Sequence, residues 1–223
     1  MNGVLNAVLW FAVISGVLGV ILAIASKVFE VKTDERVEKV LEILPGANCG
    51  GCGYAGCAAL AEAIVKGDAP ANACNAMTKE KANAICAIIG VDSAVEKERR
   101  RAQVMCSGTG DVAKKKYIYE GVHDCIAASA LAGGDRLCPN GCVGLGTCVA
   151  SCKFGAISIK DGVAVVDSKK CVACGVCVGA CPKKIIKLVP FNSSHWVGCA
   201  SHDKGNITRT YCDVGCIGCK LCE

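Results

Sequence analysis

Aromatic side chains are scarce: two Trp, four Tyr and four Phe stand among 223 residues. A core of ordinary size cannot rest on so few large rings, so another internal staple is required. Histidine is equally sparse. His123, His195 and His202 are scattered and form no H-E-x-x-H pair, which removes the common zinc-hydrolase arrangement. No P-loop run occurs, and no nucleotide site is expected. No basic residue precedes the first apolar stretch, so a cleavable secretory leader is not expected either.

What the chain has in abundance is cysteine, 20 residues in all. In a small secreted protein that density would mean disulfides. Here the cysteines fall in C-x-x-C runs too close to pair with one another, and thiolate–metal ligation is the better reading. The formal charge of +5 counts every cysteine as a neutral thiol. Each 4Fe–4S cluster with four thiolates carries about −2, so surface Lys and Arg balance clusters, and no nucleic-acid partner is expected.

Val4 to Ala25 is almost continuously apolar, with Asn6 and Ser15 as its polar interruptions. Roughly 22 residues at about 1.5 Å rise span a bilayer core. Lys27, Lys32, Arg36 and Lys39 follow it. The excess of positive charge on that flank predicts a single-pass helix in the cell (inner) membrane, N-terminus out, with the bulk of the chain cytoplasmic. A buried soluble helix is the bland alternative.

Composition divides the chain into an anchor over 1–27, a connector helix over 28–44 and a small helical cluster domain over 45–90. A middle region over 91–136 carries the basic runs Arg99–Arg101 and Lys114–Lys116, read as solvated faces. A two-cluster ferredoxin domain follows over 137–190, and 191–223 opens a further module that stops short, as though the natural chain continued. The expected class is α+β: one transmembrane helix, a helical 4Fe–4S domain, and a bacterial diferredoxin-like module with short β-hairpins.

The first constellation is Cys49, Cys52, Cys57 and Cys74, the first three on a glycine-rich loop that lets backbone N–H groups approach sulfur. A zinc site is the rival, but the four-residue gap before Cys57 and the glycines favour a cluster. The second is the bacterial ferredoxin run Cys171, Cys174, Cys177, Cys181-Pro182, whose fourth cysteine ligates the other cluster. Its partner run is Cys138, Cys142, Cys148, Cys152. Between them, 156–160 and 163–167 alternate around Asp161-Gly162, a hairpin signal. Cross-ligation predicts one cluster on Cys138, Cys142, Cys148 and Cys181, and another on Cys152, Cys171, Cys174 and Cys177.

The third constellation, Cys216, Cys219 and Cys222, is part of another ferredoxin run and amounts to a partial cluster. Five cysteines remain. Cys86 lies among apolar helical positions and reads as core. Cys106, Cys125, Cys199 and Cys212 sit beside glycine or charged loop residues and can converge on one more cluster; the alternative is unpaired thiols, with Cys212 joining the third run. The count is therefore at least three 4Fe–4S clusters, and four or five if these sets close.

The Leu44–Cys57 run with Cys74, the Gly141–Cys148 segment and the ferredoxin runs, placed behind an apolar N-terminal helix, resemble the B subunit of the Rnf complex, the membrane-bound ferredoxin:NAD oxidoreductase. The long middle region and the Gly215–Cys219 start of a further module look like the clostridial or acetogen version. The resemblance implies an electron carrier without a catalytic site of its own. It would take electrons from soluble ferredoxin and pass them to membrane subunits of the same ion-pumping complex. A corrinoid-type iron–sulfur protein is the rival class, since its first cysteine motif is similar; the D-x-H-x-x-G motif it would need is absent. A stand-alone membrane-anchored polyferredoxin is another.

Overall fold

The computed structural model describes residues 2–28, 34–92 and 98–221. Two compact units divide at Glu35. The first contains α1 (Asn2–Val28), which continues through the whole apolar stretch because nothing in it breaks a helix. Its large side chains, Leu9, Trp10, Phe11 and Leu18 among them, are exposed along the helix. Among the described residues it is the one helix long and apolar enough to cross a bilayer. Lys32 lies outside the described residues.

The second unit begins with three helices, α2 (Glu35–Ile43), α3 (Cys57–Lys66) and α4 (Lys79–Ile89). Apolar residues recur on one face of each, so the three close around a common core of Val40, Leu44, Leu60, Ile64 and Ile85. Burial of each such side chain contributes about 1.5–3 kcal/mol. Gly67 ends α3 in the left-handed region at φ 86° and returns its N–H to the last turn. Cys86 is buried in this core, in keeping with its reading as a packing residue.

The remainder is built from very short elements: β1 (Arg100–Val104), α5 (Cys125–Ala130), α6 (Thr147–Ala150), β2 (Ile157–Lys160), β3 (Val163–Val166), α7 (Val176–Ala180), β4 (Ile186–Pro190) and α8 (Gly205–Tyr211). β2 and β3 pair antiparallel around Asp161-Gly162, the hairpin expected from the alternation. β1 and β4 pair antiparallel from Arg100 opposite Pro190 to Val104 opposite Ile186. Two helical turns, α6 after Gly146 and α7 after Gly175, start from left-handed glycines at φ 83° and 81° and repeat the same local form in each half. Ala102, Val104, Ile157, Val163, Ile185 and Ile186 form the core of the two strand pairs, together with Cys142, Cys148, Cys177 and Cys181.

Residues after 98 thus enter the ferredoxin core rather than standing apart from it. The basic runs are tethers as well as solvated faces. The Arg99 guanidinium lies 3.7 Å from the Phe191 ring centre, and that of Arg101 lies 4.8 Å from the Trp196 ring. Lys115 pairs with buried Asp135 at 2.9 Å, while Lys114 and Lys116 donate to the carbonyls of Thr210 and Ala132.

Candidate metal centres

The loop Leu44–Cys57 reverses repeatedly before α3, and Asn48 fixes it by accepting the Cys57 N–H at 2.8 Å. The result gathers Cys49, Cys52, Cys57 and Cys74 around one cavity, with Leu60 beneath them. Burial pushes the Cys74 thiol up, a backbone hydrogen bond from Ala76 opposes this, and the sulfurs of Cys52, Cys49 and Cys57 push it further. The loop also contains the spacing Gly51-Cys52-Gly53-Tyr54-Ala55-Gly56, a G-x-G-x-x-G match. It follows no strand, so it lacks the setting of a dinucleotide turn. Gly51 has a different purpose: a Cβ there would collide with the carbonyl oxygen of Cys174. Cys174 itself lines the same cavity.

Cys152, Cys171, Cys174 and Cys177 come together between β1 and α7. Burial pushes the Cys177 thiol up to about 11, with Cys174, Cys171 and Cys152 adding to the rise. Backbone donors face these sulfurs: Ala102 N–H donates to Cys171 Sγ at 3.3 Å, and Ala156 N–H to Cys152 Sγ at 3.4 Å.

The other expected sets are arranged differently from the spacing argument. One cavity is lined by Cys125, Cys142, Cys148 and Cys181. Burial pushes the Cys148 thiol up to about 12, helped by Cys142, Cys125 and Cys181. A second cavity is lined by Cys106, Cys138, Cys199 and Cys212, with Cys142 on its wall. Cys125 thus lines the cavity of Cys142, Cys148 and Cys181, where the spacing placed Cys138, and Cys138 lines that of Cys106, Cys199 and Cys212. Cys216 and Cys219 lie on the coil after α8, Cys219 exposed, and Cys222 lies outside the described residues.

Asp124 explains the position of Cys125. Its carboxylate caps α5 by accepting the N–H groups of Ile126 and Ala127, and it also accepts the Thr147 hydroxyl at 2.8 Å. The Ala127 N–H, then the Thr147 hydroxyl, hold this carboxyl below its ordinary range. Thr147 in turn accepts the Cys125 N–H at 2.7 Å, which draws Cys125 to the start of α6 beside Cys148. An aspartate immediately before a short apolar run is a helix-start signal, and it was available in the sequence. Thr147→Val leaves the Cys125 N–H without its acceptor, a loss of about 1–3 kcal/mol for a buried donor. The expected outcome is faster iron release from this cavity under chelator challenge, followed by absorbance near 400 nm.

Among the described residues no group of His, Cys, Asp or Glu closes tightly enough to hold a single metal ion. Three shared cavities are instead each lined by four cysteines of these sets. The donors are thiols, the walls are apolar, and N–H groups point at sulfur. Thiols held protonated by burial need compensating positive charge to act as ligands, which iron supplies as the protons leave. The residues fit 4Fe–4S clusters.

The site and the fold thus define an iron–sulfur electron-transfer protein. Comparison with known families agrees: the Fe-S cluster family model matches residues 44–76, and the 4Fe-4S dicluster domain matches residues 140–185. The chain is 48% identical over 95% of its length to the B subunit of the Na(+)-translocating ferredoxin:NAD(+) oxidoreductase complex of Acetobacterium woodii, and spans 65% of that protein. It is 43% identical over its full length to the B subunit of the ion-translocating oxidoreductase complex of Methanosarcina acetivorans, spanning 85% of it. It is 41% identical over 97% of its length to the B subunit of the proton-translocating ferredoxin:NAD(+) oxidoreductase complex of Clostridium ljungdahlii, spanning 76% of it. The chain belongs to this family, the B subunits of the ion-translocating oxidoreductase complexes.

Proposed function

We propose that the chain carries single electrons from a soluble reduced ferredoxin to membrane subunits of an ion-translocating ferredoxin:NAD oxidoreductase complex. The observation that carries this reading is the wall shared by Cys174 and the Cys49, Cys52, Cys57 and Cys74 cavity, with Gly51 pressed on the Cys174 backbone. A ferredoxin-type site and the site that follows the membrane span in sequence are placed as neighbours, which suits transfer between them. A 4Fe–4S cluster supplies one-electron chemistry at a potential set by its hydrogen bonds and burial.

In this reading residues 45–90 hold the site that hands electrons on to the membrane subunits, and the chain after residue 98 forms the electron-receiving body. The anchor inserts with its N-terminus outside and the cysteine-rich part in the cytoplasm, following the basic residues Lys27, Arg36 and Lys39. Ion movement belongs to other subunits, because the span from Val4 to Ala25 has no charged residue to build a pathway.

The test is stopped-flow mixing of the anaerobically purified chain with reduced ferredoxin. Cluster bleaching near 400 nm and EPR signals of reduced 4Fe–4S centres are expected. A chain that dithionite reduces but ferredoxin does not would overturn the assignment of donor.

A further inference from the structure

Cys106, Cys138, Cys199 and Cys212 arrive from four separate parts of the chain, and nothing in their spacing marks them as a set. The fold brings them together by specific contacts. Cys106 and Cys199 face each other in an antiparallel bridge, and Cys212 bridges Ala113. All four line one cavity with Gly108 and Arg136. Gly108 lies against this wall: a Cβ there would press on the Ala113 Cβ at 3.0 Å and touch Cys212 Sγ at 3.5 Å and Cys106 Sγ at 3.7 Å.

The second observation is charge. Arg136, on the wall of this cavity, is 4% exposed. Its terminal nitrogens donate to the carbonyls of Thr109, Ala113 and Gly162, and its Nε is buried without a partner. The adjacent carboxylate, Asp135, is engaged by Lys115. A second cation stands close by, since Lys183 Nζ donates to the carbonyls of Gly133 and Pro139, beside Cys138 and Cys181. Buried cations are costly unless an anion shares their surroundings. A cluster on four thiolates is such an anion, at about −2.

We propose that Cys106, Cys138, Cys199 and Cys212 bind a 4Fe–4S cluster outside the two-cluster ferredoxin frame, and that Cys125 replaces Cys138 beside Cys142, Cys148 and Cys181. The sites then form one file. Cys142 belongs to the second site yet lines the cavity of the first, and its N–H donates to Cys106 Sγ at 3.4 Å. Cys148 of the second site lies close enough to Cys177 of the third for their charges to interact. Cys174 of the third lines the cavity of Cys49, Cys52, Cys57 and Cys74. The electron path of the proposed function, on which this inference rests, enters at the Cys212 end, where Cys216 and Cys219 continue the chain, and leaves at the Cys49 end.

Iron counting on the reconstituted full chain separates this grouping from the one spacing suggests. Cys106→Ala and Cys138→Ala should each lose about four irons, and the double variant should still lose about four, because one cubane is removed either way. Cys106→Ala with Cys125→Ala should lose about eight. The reverse pattern, or full iron content in Cys138→Ala, overturns the proposal. Should an alanine variant fail to accumulate, Cys106→Ser and Cys138→Ser are compared by EPR, since a serine oxygen shifts the signal of the cluster it touches. Both must shift the same signal, and shifts in two different signals overturn the proposal. A correct iron pattern in a chain that ferredoxin cannot reduce would leave the site standing and remove the relay reading instead.

Discussion

Removal of iron from the purified chain is expected to abolish fixed tertiary structure over residues 98–221 while leaving α1 helical. The elements of that region are too short to stand alone: strands of 4 or 5 residues and helices of 4 to 7. Isolated helices under ~12–15 residues are marginal in water, and so are two-stranded hairpins. Four of the buried residues in the core of the two strand pairs are cysteines of the candidate sites, so the packing there is arranged around those sites. Structural metal sites in small zinc peptides supply about 10–16 kcal/mol, as much as the whole stability of a typical domain. The α2–α4 domain has an apolar core of its own and should resist longer. Amide hydrogen exchange on holo- and apoprotein measures this directly. Exchange protection across β1–β4 should vanish on chelation and return with iron and sulfide. An apoprotein that kept its protection would show that apolar contacts suffice.

Local features were legible in the sequence because their causes are local. The termination of α3 at Gly67, the hairpin at Asp161-Gly162 and the packing role of Cys86 each follow from a few adjacent residues. The β1–β4 ladder was not legible. Arg100-Arg101-Ala102-Gln103-Val104 shows little of the apolar alternation that announces a strand, and its partner begins at Ile186, far along the chain. Its stability comes from cross-chain contacts such as Arg101 Nη2 on the Ser193 carbonyl and Arg99 on Phe191. The cysteine-rich sets were legible in kind, while which cysteines share a cavity depends on contacts far apart in the chain. Spacing identifies Cys148 and Cys152 in a ferredoxin run, yet two upstream cysteines, Cys125 and Cys138, compete for one place. The Asp124–Thr147 hydrogen bond, a contact across 23 residues, brings Cys125 to the cavity that Cys148 lines. Cys142 illustrates the same limit, because its N–H points at a sulfur 36 residues away.

Arg136→Met is expected to be the most damaging substitution outside the cysteines. Methionine matches much of the arginine's volume but donates nothing, so the carbonyls of Thr109, Ala113 and Gly162 lose a shared charged donor. Each buried acceptor left unpaired costs about 1–3 kcal/mol. The damage would spread along the contacts that meet at this side chain. Gly162, at φ 76° in the β2–β3 turn, lies so close that a Cβ there would be 2.7 Å from Arg136 Nη2. The same turn receives the Gly110 N–H on the Asp161 carbonyl. Loss of the guanidinium therefore loosens the hairpin turn and the Thr109–Ala113 loop together, on the side where Cys106, Cys138, Cys199 and Cys212 line their cavity. Chelator challenge should release iron from Arg136→Met in a fast phase of about four irons, with the Cys49, Cys52, Cys57 and Cys74 site retained. Arg136→Lys should fall between the two, because an ammonium keeps the charge but cannot reach three carbonyls in a planar fork. If Arg136→Met released iron no faster than the parent chain, the guanidinium would have no hold on the cavity. A parent-like Arg136→Lys beside a fast Arg136→Met would instead make charge, and not the fork of hydrogen bonds, the property that matters at this position.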